Sequence, residues 1–568
     1  MRFRPANLLV RVLAGAGSLA LAASASAQLR PDQVLVVYDS RIPDSLAVAE
    51  HYAGSAAVPG GLGNLPGTRP GVRVVDLASL GGVVQSAATI SRSAFNLHIR
   101  DRLRTHLAAT DAPGGGGSTN GGAIRCLVLT KGLPHRILQS NNANVGDNPS
   151  LAGNTLGAAN YNSAALDAEL VLLWQNLDAG ENNGPADSPA DGFVVNPYWR
   201  QTLPIEAWRT RFRRNAKTFS APTTTPAAGP GILWSASLTN PTLAPPPNAL
   251  TPGDIYLVSR LDGHTVADVR ALLDRSAGPA IPVNVDAAGF ILDESNSDGV
   301  LSPINSAEFD TGGFSLIWNG DDYEQARDTL LADRRFAPAN VRYDRFANKN
   351  NFLVGSRISY GGQGLIVDAP AAPLPVILLA SYGSNHEGTA PGDDVSTSPN
   401  VRTTYAESFT YAPGAVFNTM ESYNGRQFNN VEAGGVPQEQ AADFIAAGGS
   451  FAIGNVFEPF TLTVPDNDAL VKAWHLGNLS WAEAAFSSLP VLSFQQIVIG
   501  DPLARLARSS EDRDADARLS VDDLYSMNQT PADINRSGVA DDADRALVER
   551  AVRSSRDADM RSGSLQRP

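Results

Sequence analysis

The sequence has a single cysteine, Cys126, among its 568 residues. One thiol cannot form an intramolecular disulfide, so the sequence excludes a disulfide-stabilised fold and leaves the core or bound ions to stabilise the chain. Basic residues are also in deficit, because 44 Lys and Arg stand against 58 Asp and Glu and give a formal net charge of −14. Such a chain has no basic excess to follow a phosphate backbone. We therefore expect no nucleic-acid partner.

Long hydrophobic runs are missing after the first 27 residues. No later run reaches the roughly 18 to 20 apolar residues that a membrane-spanning helix needs, so we expect no membrane span in the mature chain. Residues 1–27 combine Arg2 and Arg4 with an apolar stretch and end in small residues at Ala27. This pattern is typical of a secretory signal peptide. The sequence therefore predicts cleavage after Ala27 and a secreted or periplasmic protein.

Short apolar runs bounded by turn residues alternate with helical patterns over most of the chain. Four of these runs are apolar on both faces and are predicted to be strands: Val34 to Tyr38, Cys126 to Thr130, Ile255 to Val258, and Val376 to Ala380. Buried strands that alternate with helices are typical of a parallel sheet covered on both sides. The sequence therefore predicts an α/β fold with a mostly parallel sheet flanked by helices.

The apolar periodicity stops near Ser509, where the density of charged residues rises. This change predicts a large α/β domain over residues 28–508 and a small separate module over 509–553. The last residues, 554–568, are polar and are predicted to be a disordered tail.

Two acidic stretches near the C-terminus share one spacing of oxygen-bearing side chains. Calcium loops of twelve residues supply ligands from positions 1, 3, 5, 9 and 12 and a backbone carbonyl from position 7. In "DRDADARLSVDD" these positions hold, in order, Asp512, Asp514, Asp516, Ser520 and Asp523, with the carbonyl of Arg518. In "DINRSGVADDAD" they hold Asp533, Asn535, Ser537, Asp541 and Asp544, with the carbonyl of Val539. The repeated register predicts two calcium sites.

The sharp turn at position 6 of such a loop requires glycine. Gly538 meets this requirement in the second loop, whereas the first loop has Ala517. We therefore expect the first site to be the weaker one. Both loops close with Asp where the general pattern has Glu.

Paired loops closed by Asp, each followed by a short helical stretch ("LYSMN" and "RALVERAVR"), resemble type I dockerin modules. These are compact calcium-binding appendages of secreted bacterial proteins. The resemblance implies calcium as the cofactor, a small α-helical module and a cohesin-like or other extracellular protein as the partner. At the positions where dockerins carry partner-contacting hydroxyl residues, this chain has Val521 with Asp522 and Asp542 with Ala543.

The large domain carries a second resemblance. Landmarks such as "VLVVYDSRIPDSLAVAEHYA", "CLVLTKGLPHRI", "YLVSRLDGHTVADV" and "WAEAAFSSLPVLSFQQIVIGDPL" resemble a family of secreted bacterial conserved hypothetical proteins over residues 30–507. That family has no assigned activity. The chain also shows a distant similarity to the caspase-like fold of gingipain-type peptidases, in which a His follows one hydrophobic strand and a nucleophilic Cys follows the next. No cysteine follows Cys126 in this chain, so a serine would take that place.

The caspase-like resemblance implies His386 in "SYGSNHEG" as the base and Ser422 in "ESYNG" as the nucleophile, with Asn424 beside it. Gly425 would allow a backbone N–H group to act as the oxyanion donor. The alternative is that both stretches are polar loops around a structural histidine.

A carboxylate pair is a further hypothesis. Four acidic residues could meet at the strand ends and perform acid–base chemistry on a glycan: Glu458, Asp466, Asp468 and Glu483. Asp262 and Asp293 also follow predicted strands, but we expect them to be helix caps or loop anchors.

Two functions therefore compete at the level of the sequence. One is a secreted binding or structural protein whose non-catalytic α/β domain is carried beside a calcium-dependent module. The other is a secreted hydrolase, either peptidase-like or active on polysaccharide. A hydrogen bond between His386 and Ser422 would favour the hydrolase, as would a cleft in which two of three carboxylates face each other: Glu458, Asp466 and Glu483.

Overall fold

The structure is a computed structural model. It describes residues 29–61, 66–83, 87–110, 122–138, 164–174, 194–208, 250–278, 280–283, 287–294, 322–333, 336–345, 353–357, 365–369, 371–381, 405–428, 440–457, 459, 464–477, 479–507, 511–514, 519–534 and 539–554. The predicted signal peptide lies outside these residues, as does the predicted tail beyond residue 554.

The strands of the described residues are numbered in chain order. They are β1 (Val34–Tyr38), β2 (Arg73–Asp76), β3 (Thr89–Ser91), β4 (Cys126–Thr130), β5 (Arg136–Leu138), β6 (Ala164–Ala165), β7 (Val194–Val195), β8 (Leu257–Leu261), β9 (Ile281–Pro282), β10 (Gly289–Asp293), β11 (Val341–Asp344), β12 (Leu353–Val354), β13 (Leu365–Ile366), β14 (Pro375–Ser381), β15 (Thr410–Thr419), β16 (Phe451–Asn455), β17 (Val491–Leu492), β18 (Gln496–Ile499) and β19 (Leu506–Ala507).

The helices are numbered in the same way. They are α1 (Pro43–Ala53), α2 (Arg92–Phe95), α3 (Asp101–Thr110), α4 (Leu166–Val171), α5 (Val266–Ser276), α6 (Asp322–Ala332), α7 (Ala441–Ala446), α8 (Asn467–Leu470), α9 (Trp481–Ser488), α10 (Val521–Gln529) and α11 (Asp542–Ser554). Two π-helical segments, Asn96–Arg100 and Val471–His475, continue α2 and α8. Short 3-10 helices are Pro31–Gln33, Ile205–Trp208, Pro252–Asp254, Pro338–Asn340 and Ala406–Ser408. Among the described residues, no helix is long and apolar enough to span a bilayer.

Ten of the described strands form one sheet in the order β11-β10-β14-β15-β16-β18-β8-β4-β1-β2. All neighbouring pairs are parallel except β16 and β18. The sheet therefore has two parallel halves that meet at an antiparallel seam. In the first half the strands β1, β2, β4, β8 and β18 lie in the order 2-1-3-4-5 of their appearance in the chain, and β10, β11, β14, β15 and β16 repeat that order in the second half.

Strand β1 and helix α1 illustrate why the chain alternates between strands and helices. All five residues of β1, "VLVVY", are buried, as the continuous apolar run predicts for a central parallel strand. Pro43 occupies the first turn of α1, where its missing N–H group costs nothing, and Gly54 ends the helix at a φ of 92°. The helix then packs against β1 and β4.

The predicted α/β class with a mostly parallel sheet is confirmed. Three of the four predicted strand runs, in β1, β4 and β14, are strands at their predicted places. The fourth prediction, Ile255 to Val258, is shifted, because β8 runs from Leu257 to Leu261. Ile255 instead follows the 3-10 turn Pro252–Asp254, which is held by a capping box from Thr251.

The C-terminal helices have an apolar core of their own. Met527, Val548 and Val552 form a cluster that is separate from the core of the large domain. Leu524 and Ile534 pack against it. The two-helix arrangement predicted for this segment is present, although α11 ends at Ser554, one residue beyond the predicted end of the module at residue 553.

Candidate metal centre

Three carboxylates of the first acidic loop converge. Asp512, Asp514 and Asp523 each offer an oxygen, and these oxygens lie within 4.8 Å of one another. Asp512 and Asp523 are buried, and Asp514 is half-buried. In the described part of the chain, no other group of three His, Cys, Asp or Glu side chains meets this distance.

Backbone N–H groups hold the closing carboxylate Asp523 in place. Its Oδ1 accepts hydrogen bonds from Arg513 N at 2.7 Å and Asp514 N at 3.3 Å, and its Oδ2 accepts one from Ser520 N at 2.7 Å. The pKa of Asp523 is raised to about 6 because burial outweighs these bonds, and the charge of Asp514 raises it further. A cation in the loop would offset both causes.

The second loop repeats the local geometry of the first. Asp541 N donates to Asp544 Oδ2 at 2.9 Å, as Ser520 N donates to Asp523 Oδ2. Asp544 is fully buried, like Asp523. The closing carboxylates of both loops are therefore turned inward, although a free carboxylate would normally lie in water.

The residue at position 9 caps the following helix in both loops. Ser520 Oγ accepts a hydrogen bond from Asp522 N at 3.2 Å, and Asp541 Oδ1 accepts one from Ala543 N at 2.8 Å. Each capping residue lies directly before its helix, α10 or α11, and three positions before the closing carboxylate. Each helix start therefore fixes the end of its loop.

The remaining predicted ligands divide into two groups. Those outside the described residues are Asp516, Arg518, Asn535 and Ser537. Of the described ones, Asp533 is half-buried and Val539, predicted to contribute its carbonyl, is exposed. Of the ligands predicted for the two loops, the carboxylates that converge among the described residues are those of the first loop.

The predicted catalytic residues are only partly described. His386 and Glu458 lie outside the described residues. Ser422 is half-buried in the turn that follows β15. β14 and β15 are adjacent and parallel, with Ser381 paired to Thr419, so the two strands end at the same edge of the sheet.

The turn after β15 is tightly bound to β16. Asn424 is fully buried; its Nδ2 donates to Thr419 Oγ1 at 2.9 Å, and its Oδ1 accepts from Asn455 N at 2.6 Å. Gly425 N donates to Asn455 O at 2.9 Å. A Cβ on Gly425 would lie 3.0 Å from the backbone of Gly454. The two segments can therefore approach this closely only because residue 425 is glycine.

These bonds correct the expectation for the oxyanion group. The N–H of Gly425 donates to Asn455 O in β16, so this group is not available as the oxyanion donor. Tyr423 N is used in the same way by Phe457 O, at 3.0 Å. Tyr423 has a φ of 62°, a conformation that a bulky residue rarely adopts and that strains the turn next to Ser422.

The predicted carboxylate pair has a structural role in the described residues. Asp466 caps α8 by accepting from Ala469 N at 2.9 Å, and it also pairs with Arg200 at 2.5 Å. Glu483 accepts from Ser480 N at 3.0 Å and from Ile205 N at 2.9 Å. Burial raises the pKa of both carboxyls.

Asp468, Asp262 and Asp293 are also held by hydrogen bonds or ion pairs within the fold. Asp468 pairs with Lys472 at 2.6 Å. Asp293 accepts from Leu353 N at 2.9 Å, and Asp262 from Gly263 N at 3.0 Å, so both are loop anchors as expected.

A buried ion network at β8 and at the end of β4 was not foreseen from the sequence. Arg260 is fully buried and forms a bidentate pair with Asp167, at 3.0 Å and 2.5 Å. Lys131 Nζ donates to Gly263 O at 2.7 Å and to Phe428 O at 2.8 Å. The charged residues lie in the stretches "TKG" and "SRLDG". The sequence alone does not show whether such charges are buried or exposed, because their partners are far away in the chain.

Neither protein-family models nor curated proteins nor solved structures match the chain. The dockerin-like and caspase-like resemblances therefore stay predictions from the sequence.

Proposed function

We propose that residues 509–553 form a calcium-binding module with one ion in each acidic loop. The observation that carries the proposal is the convergence of Asp512, Asp514 and Asp523 within 4.8 Å in the first loop, whose ligand spacing and buried closing carboxylate the second loop repeats.

The chemistry of the loops favours calcium over other cations. Their side-chain donors are carboxylate, amide and hydroxyl oxygens, which hard cations prefer. Loops of this length with a carbonyl at position 7 fit the flexible coordination of calcium better than the strict octahedron of magnesium.

A cation would also stabilise the module. Its apolar cluster consists of Met527, Val548 and Val552 with three partly buried neighbours, which is a small core for two helices. Asp512, Asp514 and Asp523 repel one another at the distances observed. Calcium binding and folding of the module are therefore coupled.

The module serves, in this proposal, to attach an exported α/β domain to an extracellular protein of the cohesin type. Val521 and Tyr525 support a protein contact, because both are exposed on α10 at a spacing of one helical turn. The large domain is then the part that is displayed.

Calcium titration of the full chain by calorimetry tests the proposal. We expect two calcium equivalents and a gain of helical circular dichroism. Asp544→Ala should reduce the uptake to one equivalent, because it removes the closing carboxylate. The matched control Asp542→Ala removes an exposed, neighbouring carboxylate outside the ligand pattern and should keep both. Absence of heat and an unchanged spectrum at millimolar calcium would reject the proposal.

A second candidate function is hydrolysis at the edge where β14 and β15 end. The favouring observation is their parallel pairing, which ends both strands at the same edge of the sheet, shortly before His386 and Ser422 in the chain. The strained Tyr423 lies beside Ser422 there, and strain of this kind is concentrated at functional sites.

Screening the purified chain against peptide and glycan libraries tests this second function. For any substrate found, Ser422→Ala should lower kcat by about a thousandfold or more, because it removes the attacking hydroxyl. Ser79→Ala, at an exposed serine of the large domain, is the matched control and should leave kcat unchanged. Equal rates in the two variants would exclude Ser422 as the nucleophile.

A further inference from the structure

A tyrosine hydroxyl joins two buried glutamates where β10 and β11 end. Tyr343 lies in β11, Glu294 directly follows β10, and Glu324 lies in the first turn of α6, which packs against both strands. The two strands pair in parallel, and Glu294 N donates a hydrogen bond to Asp344 O at 2.9 Å. The hydroxyl oxygen of Tyr343 lies 2.8 Å from Glu294 Oε2 and 2.5 Å from Glu324 Oε1. Three different elements therefore bring these three side chains together.

The number of hydrogens in this group points to an additional proton. A phenol hydroxyl has one hydrogen, which it can donate to one of the two carboxylates. The oxygen of the other carboxylate would then face a lone pair of the same hydroxyl at hydrogen-bond distance, and two acceptors with no hydrogen between them repel each other. If that second carboxyl is protonated, it donates to the Tyr343 oxygen, and both contacts become hydrogen bonds.

The burial of the pair favours the form with one proton. Glu324 is fully buried and Glu294 is 1% exposed, so water solvates a second negative charge poorly. Asp293, next to Glu294 in the chain, shows the effect of these surroundings. Burial raises the pKa of Asp293 well above its usual value; the hydrogen bond from Leu353 N opposes this shift, and the charge of Asp344 adds to it.

Other charged and titratable groups lie on the elements packed around the pair. Arg327 of α6 lies over the Tyr343 ring, with its guanidinium 4.7 Å from the ring centre, and it also pairs with Asp328. Burial lowers the pKa of His475 to about 3, so this histidine is uncharged at neutral pH. The further charged side chains on these elements, besides Asp293 and Asp344, are Asp322, Asp333, Arg342, Arg345, Asp468 and Lys472. All of them are kept in the variants described below, so their own titration is common to the chains compared.

We propose that Glu294, Tyr343 and Glu324 form a buried site that holds one additional proton at neutral pH. The inference does not depend on the calcium module. When both glutamates ionise, two negative charges lie close together inside the fold and repel each other. The site lies at the carboxyl edge of the second half of the sheet, so a rising pH destabilises the fold at that edge.

The proton links folding to pH in a defined direction. In the unfolded chain both glutamates are ionised above about pH 5, because a free glutamate has a pKa of about 4.3. Unfolding therefore releases the proton, and this site raises the unfolding equilibrium constant about tenfold per pH unit. Its stabilisation is complete below the pKa of an unfolded glutamate and is lost as the pH rises through the pKa of the folded site.

Urea unfolding of the full chain in EDTA, at several pH values between about 5 and 8, tests the site. Glu324→Gln and Glu294→Gln each replace one carboxyl by an amide, whose N–H group can donate to Tyr343 without an added proton. We expect the unfolding constant of the unmutated chain to rise more steeply with pH than that of either variant, by about tenfold per pH unit. Glu407→Gln, at a half-buried glutamate of the 3-10 helix Ala406–Ser408, is the matched control and should keep the slope of the unmutated chain.

Infrared spectroscopy detects the proton without unfolding the chain. With isotope-labelled glutamate, the unmutated chain should show at neutral pH a C=O band of a protonated glutamic acid that both Gln variants lack. Glu483, whose pKa is also raised by burial, would keep any band of its own in both variants. No such band in the unmutated chain would overturn the proposal, as would equal bands or equal slopes in the unmutated chain and both variants. Circular dichroism of each variant establishes that folded proteins are compared.

Discussion

Asn424 shows that one residue in a sequence is compatible with two different roles, one catalytic and one structural. At the end of a strand beside Ser422, Asn424 matched the pattern of an active centre. In the structure, its side chain bonds to Thr419 and to the backbone of Asn455. An amide carries both a donor and an acceptor, so it can join two strand ends that a carboxylate or a hydroxyl could join only in part.

This arrangement makes a prediction for Asn424→Ala. The substitution leaves the buried N–H of Asn455 without its side-chain acceptor, so we expect the free energy of unfolding to fall by about 1 to 3 kcal/mol. Urea titration at neutral pH measures the loss. As a matched control, Asn340→Ala, at a half-buried residue of a 3-10 turn, should cost less than about 1 kcal/mol. Equal losses in the two variants would contradict a special role for Asn424.

At the scale of the element, the same residue types serve as helix caps and as metal ligands. A Ser or Thr followed three residues later by an acidic residue begins α5 at Thr265 and α9 at Ser480 as a capping box. Ser520 and Asp523 form the same box at the start of α10. Positions 9 and 12 of the calcium loop are thus also a helix cap, and what favours a metal site is the addition of Asp512 and Asp514 nearby.

The strands show a similar division between pattern and context. The apolar runs predicted strands, but "DIYLVSRLDG" also contains Arg260, which is fully buried within β8. The charge is tolerated because Asp167 and the carbonyls of Leu133 and Pro134 receive its hydrogen bonds. A central strand can therefore carry an arginine when another element provides its partners.

At the scale of the whole molecule, the sheet repeats one arrangement twice. Both halves have the order 2-1-3-4-5, and they meet through their fifth strands, β18 and β16, in antiparallel orientation. The carboxyl ends of the two halves therefore lie at opposite edges of the sheet. In open α/β sheets ligands bind at the carboxyl edge, so the large domain presents two such edges, one after β1 and β4 and the other after β10 and β14.

The separate cores predict that the module can be removed. A chain truncated after Arg508 should keep the main thermal transition of the large domain within about 3 °C, because the cluster around Met527 is separate from the main core. Differential scanning calorimetry in EDTA measures both chains. A fall of more than about 10 °C, or loss of the cooperative transition, would show that the large domain depends on the module.

The sequence by itself determined the α/β class, the places of β1, β4 and β14, and the duplicated acidic register at the C-terminus. These features depend on local physics, since apolar periodicity and ligand spacing are properties of short stretches. Only the tertiary structure decided the order of the ten strands, the antiparallel seam between β16 and β18, and the partners of Arg260. It also decided that the N–H of Gly425 bonds to Asn455, because this bond joins segments about 30 residues apart whose approach no local pattern encodes.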